Sequence, residues 1–339
     1  MAKKKKLKAS DIIDKVDVHY DNTESLRQRM EDDYSLYRLD PYDAGDGYQS
    51  YTSNAPQTYA DKVISWIVSS EMVARIPNIH ENEDIRFANN NKEKVFLGML
   101  RSADERLKNA LSPSIKNQLA FYISIRGWYA GRALLTKRDD GTTYVDISPW
   151  DPMHTYWGVG ADGLAWACHK IQKGRTEIEE EYGVRLSGEA MERDDEDWLY
   201  VYDYYDKEEN IVVVGNGQVV KKATAHGSPR VPVFIGPVGS TPPVQALAEH
   251  TDIESTVEDF GESVFKSSRD VYEKNNFMMS IMLELTARAR RQGLKIKSRD
   301  GSKTLDEDPY KEGTEISLAQ GEDVEPLGLL EMSRETQGF

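Results

Sequence analysis

The stretch 114–137 reads SIKNQLAFYISIRGWYAGRALLTK, and it contains the change from helix to strand that decides the fold. In its first half, apolar residues such as Ile115, Leu119 and Tyr122 recur every three or four positions, as on one face of an amphipathic helix. From Trp128 onward the pattern changes to short extended runs. We therefore expect a helix that ends just before Trp128, followed by the first strand of a sheet.

Toward the C-terminus, the sequence predicts a series of β-hairpins. Residues 139–141 separate two extended runs, and Asn216-Gly217 is a good hairpin-turn signal further along the chain. The hexapeptide 158–163 matches GxGxxG, but the residues after it alternate as in a strand, so we expect a glycine turn and no dinucleotide site. The expected strands are 132–137, 143–147, 153–157, 164–171, 198–205, 211–214 and 218–222.

Toward the N-terminus, the sequence predicts three further helices, each with one apolar face. A short acidic helix is expected at 176–182, where Thr176 and Glu179 have the spacing of a capping box and Gly183 can end the helix. Together with the strands, these elements predict an α+β fold. The three N-terminal helices are expected at 25–39, from Asn54 or Thr58 to Pro77, and at 90–110.

The region between Val244 and Gln292 lacks proline and has apolar residues at near-heptad spacing, which favours long helices. A break is expected at Asn275 and Asn276. Two readings stay open for this region: two ordinary helices packed on the sheet, or a helix that lines the axis of an oligomer. After it, extended runs at 313–318 and 324–330 predict further strands.

Composition limits the possible functions. The 339 residues suffice for about two domains, and no apolar run approaches the ~18–20 residues of a membrane helix. The formal charge of −15 has the wrong sign for a protein that grips nucleic acid by neutralising phosphates. Cys168 is the only cysteine, so neither an intrachain disulfide nor a cysteine-based zinc site can form. We expect no cofactor and no metal.

Residues 1–24 are expected to form a basic flexible arm, because Lys3–Lys6 and Lys8 form a dense lysine run. Such a run is more often a solvated tail than a contact surface. The alternative is an arm that touches DNA or an acidic neighbour.

Motifs of catalysis are scarce. The sequence has no Gly-Lys dipeptide, which excludes a Walker A motif, and it has no GxSxG or HExxH. Asp146 and Asp151 could be paired carboxylates, but in so acidic a chain we favour turn and strand-edge roles for them. A hydrolytic enzyme stays an alternative, in which these two would have to converge with His154 or His169 in one pocket.

The order and spacing of these segments resemble those of the portal proteins of tailed bacteriophages, over nearly the whole chain from Leu26 onward. No single segment is specific, and the resemblance rests on their succession. The segments are YSLY (34–37), YTSNAPQTYADKVISWI (51–67), IRGWYAGRALL (125–135), VDISPWDPMHTYWG (145–158), GLAWACHKI (163–171), RTEIEEEYG (175–183), VYDYYDKEENIVVV (201–214), VVKKATAHGSPRVPVFI (219–235) and GTEISLAQGEDVEPL (313–327).

The resemblance implies a division of the chain after the N-terminal arm. It implies a wing region of helices and hairpins at 25–197, a clip-like β region at 198–243 and a stem of long helices at 244–292. Returning wing strands would follow at 293–339. The long C-terminal helix and crown of the family are not expected after Leu330.

The resemblance also implies a structural function without catalysis. Subunits would form a ring, usually of twelve, at one vertex of the capsid, and double-stranded DNA would pass through its channel during packaging and ejection without sequence recognition. The implied partners are the major capsid protein, the large terminase subunit and head-tail adaptor or tail proteins, with no membrane. Assembly would occur in the bacterial host cytoplasm, and the product would be part of the virion. Another neck adaptor or a minor capsid protein is the alternative.

Three groups of residues are the candidate sites that follow from the resemblance. The first would dock terminase or adaptor at the clip, the second would face DNA, and the third would pack against a neighbouring subunit in the stem. Basic residues of the second group could instead pair with carboxylates across subunits. The groups are Asp206, Lys207, Glu208, Glu209, Asn210, Gly215 and Asn216; then Arg288, Arg290, Arg291, Lys295 and Lys297; then Ile253, Val257, Phe260 and Val264.

Overall fold

The computed structural model describes residues 7–45, 49–77, 83–137, 141–187, 198–239, 261–290, 294–298 and 318–326. The chain divides into two units. The first unit combines Met1–Leu39 with Asn54–Arg269, and the second combines Asp40–Ser53 with Asp270–Phe339. Helices and antiparallel strands are both abundant, which confirms the expected α+β class.

The helices predicted at 25–39 and 176–182 form within a residue of those bounds, whereas the helix predicted to reach Pro77 ends at Ser69 and the one predicted at 90–110 begins at Glu83. The helix of the opening stretch is capped by Ser114, whose Oγ accepts a hydrogen bond from the backbone N–H of Asn117 at 3.2 Å. Gly127 then turns the chain with a φ of 69°. The helices are α1 (Ala9–Asp21), α2 (Glu24–Arg38), α3 (Ala55–Ser69), α4 (Glu83–Asn109), α5 (Ile115–Ile125), α6 (Arg175–Tyr182) and α7 (Arg269–Arg290).

Helix α1 occupies much of the segment expected to be a flexible arm, so that prediction is wrong from Ala9 to Asp21. Ile12 and Val16 lie one turn apart on the same face, and both are fully buried. They pack against Tyr156 and Tyr204 in an apolar cluster. Burial of this face explains why the segment is ordered despite the lysine run before it.

The strands form two sheets in the first unit, with orders β2-β1-β8 and β3-β4-β5-β6-β7. All neighbouring strands in both sheets are antiparallel. The GxGxxG hexapeptide closes the β3–β4 hairpin, which confirms the glycine turn. The strands are β1 (Trp128–Lys137), β2 (Thr143–Trp150), β3 (Thr155–Gly160), β4 (Gly163–Gly174), β5 (Trp198–Asp206), β6 (Glu209–Val214), β7 (Val219–Ala225) and β8 (Val233–Pro237).

Strand β8 pairs with β1, about a hundred residues earlier in the chain, and not with the hairpins that precede it. Gly131 of β1 makes this pairing possible, because a Cβ there would lie 2.4 Å from the ring of Phe234. The region 198–243, expected to be one clip-like β region, therefore contributes strands to two different sheets.

The five-stranded sheet has an apolar side chain on each face at alternating positions of β5. Tyr202 and Tyr204 pack toward α1, whereas Val201 packs with Ile178 of α6. Tyr205 belongs to a further cluster with Trp150 at the end of β2. Helices α1 and α6 thus cover opposite faces of this sheet.

Residues 261–268 form turns, so this part of the region 244–292 does not belong to the long helices that were expected there. Gly261 has a φ of 68° and lies so close to Trp128 that an added Cβ would be 2.2 Å from the indole nitrogen. Val264 donates its backbone N–H to the carbonyl of Ser124 at 2.9 Å, and Phe265 is fully buried.

Helix α7 runs without interruption through Asn275 and Asn276, so the predicted break is wrong. The Asn276 side chain is buried and accepts a hydrogen bond from the N–H of Ser53 at 2.9 Å. One turn later, the Ser280 hydroxyl oxygen accepts a hydrogen bond from the backbone N–H of Tyr51 at 2.9 Å. The loop 49–53 is thus attached to α7 within the second unit.

The second unit also contains a two-stranded antiparallel pair, β9 (Leu294–Lys297) and β10 (Asp323–Pro326). The prediction at 324–330 is confirmed for its first three residues. The strand predicted at 313–318 lies almost entirely outside the described residues. No helix within the described ranges is long and apolar enough to cross a membrane.

Candidate functional site

The first group of candidate residues surrounds the β5–β6 turn, and Asp206 builds that turn. Its Oδ1 accepts hydrogen bonds from the N–H groups of Glu208 at 2.8 Å and Glu209 at 2.7 Å. Asn210 is buried and donates to Asp203 at 2.7 Å, so it holds the turn from inside. The exposed part of this turn is Lys207, Glu208 and Glu209.

Gly215 and Asn216 belong to the next turn, between β6 and β7. The Asn216 side chain accepts from the N–H of Gln218 at 2.9 Å and donates to the carbonyl of Ser187 at 3.1 Å. Consecutive turns of a meander lie at opposite ends of the strand that joins them, here about 17 Å apart. The structure therefore does not bring the seven clip candidates together into one surface.

The basic candidates lie in the second unit. Arg288 and Arg290 are in the last turn of α7, and Arg291 lies outside the described residues. Lys295 and Lys297 are on β9. The ammonium of Lys297 lies 3.9 Å from Asp323 and 3.6 Å from Glu325, so carboxylates of the same chain offset its charge.

Of the four stem candidates, Ile253, Val257 and Phe260 lie outside the described residues. Val264 is half-buried and precedes α7 by five residues. The hydrogen bond from its backbone N–H to the carbonyl of Ser124 holds it against α5 of its own chain.

The two carboxylates considered for acid/base chemistry are each bound by an arginine. Asp146 lies 3.0 Å from Arg106 and 2.7 Å from Arg132. Arg132 also lies 3.4 Å from Asp203, whose pKa is raised by burial although Arg132 opposes the shift. The ion pairs of Asp146 therefore join α4 and β1 to β2, and the pair of Arg132 with Asp203 joins β5 to β1.

Asp151 has a comparable role beside the short 3-10 turn Pro152–His154. Its Oδ1 caps that turn through the N–H of Met153 at 2.9 Å, and its Oδ2 lies 3.0 Å from the guanidinium of Arg126. The 5 % exposed Arg126 side chain also donates to the carbonyl of Met30 at 2.7 Å. This arrangement fastens α5 to α2 and to the sheet.

Asp151 and His154 line the same groove, described below, but Asp146 and His169 are not among its lining residues. The His169 ring is half-buried and stacks on Trp150 with centroids 4.7 Å apart, and removal of the ring from water lowers its pKa to about 3. Burial also lowers the pKa of His154. Within the described ranges, no group of three or more His, Cys, Asp or Glu side chains is placed to hold a metal ion.

Helices α2, α3 and α5 enclose an open groove of about 830 Å³, named here the aromatic groove. Burial raises the pKa of Tyr122 to about 12, and the Tyr37 hydroxyl donates to Asp61 at 3.1 Å. The groove is therefore lined by aromatic rings and has the carboxylate of Asp61 on one wall. Its lining residues are Tyr34, Tyr37, Asp61, Ile64, Ser65, Val68, Pro113, Asn117, Gln118, Phe121, Tyr122, Arg126, Asp151 and His154.

Helix α4 presents an uncovered row of apolar side chains, named here the α4 stripe: Ile85, Val95, Phe96 and Met99. At 100° per residue these positions fall within an arc of about 100°. Val95 is 56 % exposed and Phe96 52 %. Ala103 continues the row and is fully buried on its own chain, so one end of this face is packed and the rest is open.

A second apolar row lies on α7. Val271, Met278 and Met282, which lie in the region of near-heptad spacing, are 58 %, 36 % and 36 % exposed. On α3, Trp66 is 71 % exposed. Such large exposed apolar surfaces are typical of proteins that assemble.

Neither the protein-family models nor the curated proteins compared with this sequence give a match.

Sequence reasoning overlooked both the aromatic groove and the α4 stripe. The stripe has a partial signal in the sequence, because apolar residues occur at positions 95, 96 and 99 of the helix predicted at 90–110. The groove has no such signal, since its walls come from three helices and from the segment after β2.

Proposed function

We propose that this chain is a portal subunit of a tailed bacteriophage, which forms a ring, usually of twelve copies, around a channel for double-stranded DNA. The order of segments from Leu26 onward and the α+β class support this proposal. The proposal extends to the virion as its location and to the major capsid protein, terminase and head-tail adaptor proteins as partners.

The exposed apolar face of α4 is the observation that carries the proposal. Four apolar side chains form one row on a 27-residue helix of which only Asn89 and Ala103 are buried. Fully burying a phenylalanine side chain contributes about 1.5–3 kcal/mol. Phe96 is 52 % exposed, so covering the rest of it would contribute about half of that, and a subunit with this open face gains stability by association. The apolar row of α7, at Val271, Met278 and Met282, adds a second surface of the same kind.

The charge distribution agrees with a passage for DNA. A net charge of −15 disfavours a protein that holds phosphates tightly, whereas a channel wall must let the duplex slide. In the second unit, Lys297 is offset by Asp323 and Glu325, so it would contribute a weak contact at most. The exposed Lys207, Glu208 and Glu209 at the β5–β6 turn are the part of the clip candidates that could meet a docking partner.

The mass and symmetry of the purified full chain test the proposal. We expect native mass spectrometry and negative-stain images of the same sample to reveal a ring of about a dozen copies with an open centre. A chain that stays monomeric or dimeric across the micromolar range would overturn the portal assignment. It would then favour a neck adaptor, a minor capsid protein or an enzyme.

A further inference from the structure

The first unit carries a convex apolar surface and a concave one at separate places. The α4 stripe is the convex surface, and the aromatic groove between α2, α3 and α5 is the concave one. Both belong to the same compact unit. A chain with two different surfaces of this kind can bind copies of itself head to tail.

We propose that the α4 stripe of one copy packs into the aromatic groove of the next copy. This inference rests on the proposed ring function and names the contact that would build the ring. Each copy would contribute α4 on one side and α2, α3 and α5 on the other.

The spacing of side chains on α4 fits recognition of a helix by a groove. Phe96 and Met99 stand three positions apart, as apolar anchors of a helix in a groove do, and Lys92 lies one turn before Phe96 on the same face. The groove offers the rings of Tyr37 and Phe121, which lie with centroids 5.3 Å apart. Aromatic rings pack well against phenylalanine and attract the polarizable sulfur of methionine.

The charges of the two surfaces are complementary. In the groove, Arg126 is offset by Asp151 at 3.0 Å and by Glu31 at 3.6 Å. The pKa of His154 is lowered mainly by burial, which favours its neutral form at pH 7. Among the groove residues described, Asp61 is left as the carboxylate without a cation, bonded to the neutral Tyr37 hydroxyl.

Lys92 supplies the matching positive charge. It lies within the arc of the α4 stripe, between Ile85 and Val95 in the sequence and one turn before Phe96. A lysine between two apolar anchors suits a groove whose aromatic walls end at Asp61, because the rings attract the cation and the carboxylate neutralises it. A neighbouring copy is therefore complementary to the groove in shape, polarity and charge.

The contact is heterologous, because stripe and groove are different patches. Repeated head-to-tail contacts close into a ring when the rotation between copies permits closure. A symmetric contact between two α4 stripes would instead stop at a dimer.

A complementation experiment with the full chain tests the inference. Phe96→Asp places a charge in the α4 stripe and leaves the aromatic groove intact. Ser65→Arg places a long side chain in the groove from an exposed position of α3 and leaves the stripe intact. Each variant alone is expected to need about 30-fold or more protein for half-assembly. Their mixture is expected to form a 1:1 heterodimer by native mass spectrometry, through the one intact pair of surfaces.

Two controls come from α4 itself. Phe87→Asp changes the same residue type on the opposite side of the helix, where Phe87 is 70 % exposed, and this variant should assemble as the wild type does.

A charge swap tests the contact between Lys92 and Asp61. Lys92→Asp and Asp61→Lys should each weaken assembly, and the double variant should restore it. Lys94→Asp, on the far side of α4, serves as the control for charge.

The outcomes separate the inference from the proposed function. If the wild type forms rings and Phe96→Asp forms them equally well, the stripe-in-groove contact is wrong and the ring function stands. If Ser65→Arg alone still dimerises and the mixture gives no heterodimer, the contact is symmetric between stripes. If the wild type never assembles, both proposals fail.

Discussion

Replacing Arg132 by methionine is expected to destabilise the first unit by about 3–5 kcal/mol at pH 7. The guanidinium of Arg132 donates to Asp146 at 2.7 Å and to the Tyr205 hydroxyl at 2.9 Å, and it lies 3.4 Å from Asp203. Methionine has a similar apolar stem but no charge. The variant therefore leaves the half-buried Asp203 carboxylate without the guanidinium that lies 3.4 Å from it.

The magnitude follows from the burial of the pair. The side chains of Arg132 and Asp203 are 21 % and 17 % exposed, so water offsets little of the lost attraction. Asn210 still donates to Asp203 at 2.7 Å, which places the expected loss toward the lower end of the range. Arg106→Met is the matched control: Asp146 keeps Arg132 at 2.7 Å when the Arg106 pair at 3.0 Å is lost, so no carboxylate is left without an arginine and the cost should be about 1 kcal/mol.

Urea unfolding at pH 7 and pH 5 measures these losses. Burial already raises the pKa of Asp203, and removal of Arg132 raises it further, so the carboxyl of the variant takes up a proton more readily as the pH falls. The loss should therefore be smaller at pH 5 than at pH 7. Adding Asp203→Asn to Arg132→Met should recover part of the stability. A loss below about 1 kcal/mol at pH 7, or a further loss in the double variant, would refute the reasoning.

Three further predictions concern the core. Ile12→Ala should cost about 2–4 kcal/mol in urea unfolding, whereas Val18→Ala on the exposed side of α1 should change stability by less than about 0.5 kcal/mol. Because the pKa of His169 falls from 6.5 to about 3 on folding, stability is full above pH 6.5 and declines as the pH drops; we expect about 2 kcal/mol less at pH 5, and His169→Phe should remove that part of the slope. Gly261→Ala should lower the melting temperature, because its Cβ would meet the Trp128 indole at a φ of 68°.

Local patterns in the sequence were sufficient for most helices and hairpins. The Asn216-Gly217 turn and the glycine turn at 158–163 were predicted correctly because both are decided by a few adjacent residues. The end of the helix before Trp128 was also correct, since Ser114 and Gly127 mark its limits.

Predictions failed where distant residues decide the local structure. The flexible arm was expected from the lysine run at Lys3–Lys6 and Lys8, but burial of Ile12 and Val16 against the sheet orders the helix that follows it. The break at Asn275 and Asn276 was expected from low helix propensity, but Asn276 gains a buried hydrogen bond from Ser53. Tertiary contacts outweigh propensity in both places.

Candidate sites were harder to predict than elements. The clip candidates were taken together from the resemblance, although the alternation of turns in a meander places Asp206 and Asn216 at opposite ends of β6. The groove needs three helices in contact, and no pattern within one helix reveals that arrangement.

The pairing of β8 with β1 has a consequence for the newly made chain. Strand β1 is complete at Lys137, but its second partner begins only at Val233. At about 5–20 residues per second, a ribosome needs roughly 5 to 20 s to make the intervening segment. During that time one edge of β1 has no partner, and unpaired edges template aggregation. The hairpins from β3 to β7 can meanwhile form from neighbours in sequence, so the last event in building this sheet is the arrival of β8 during translation.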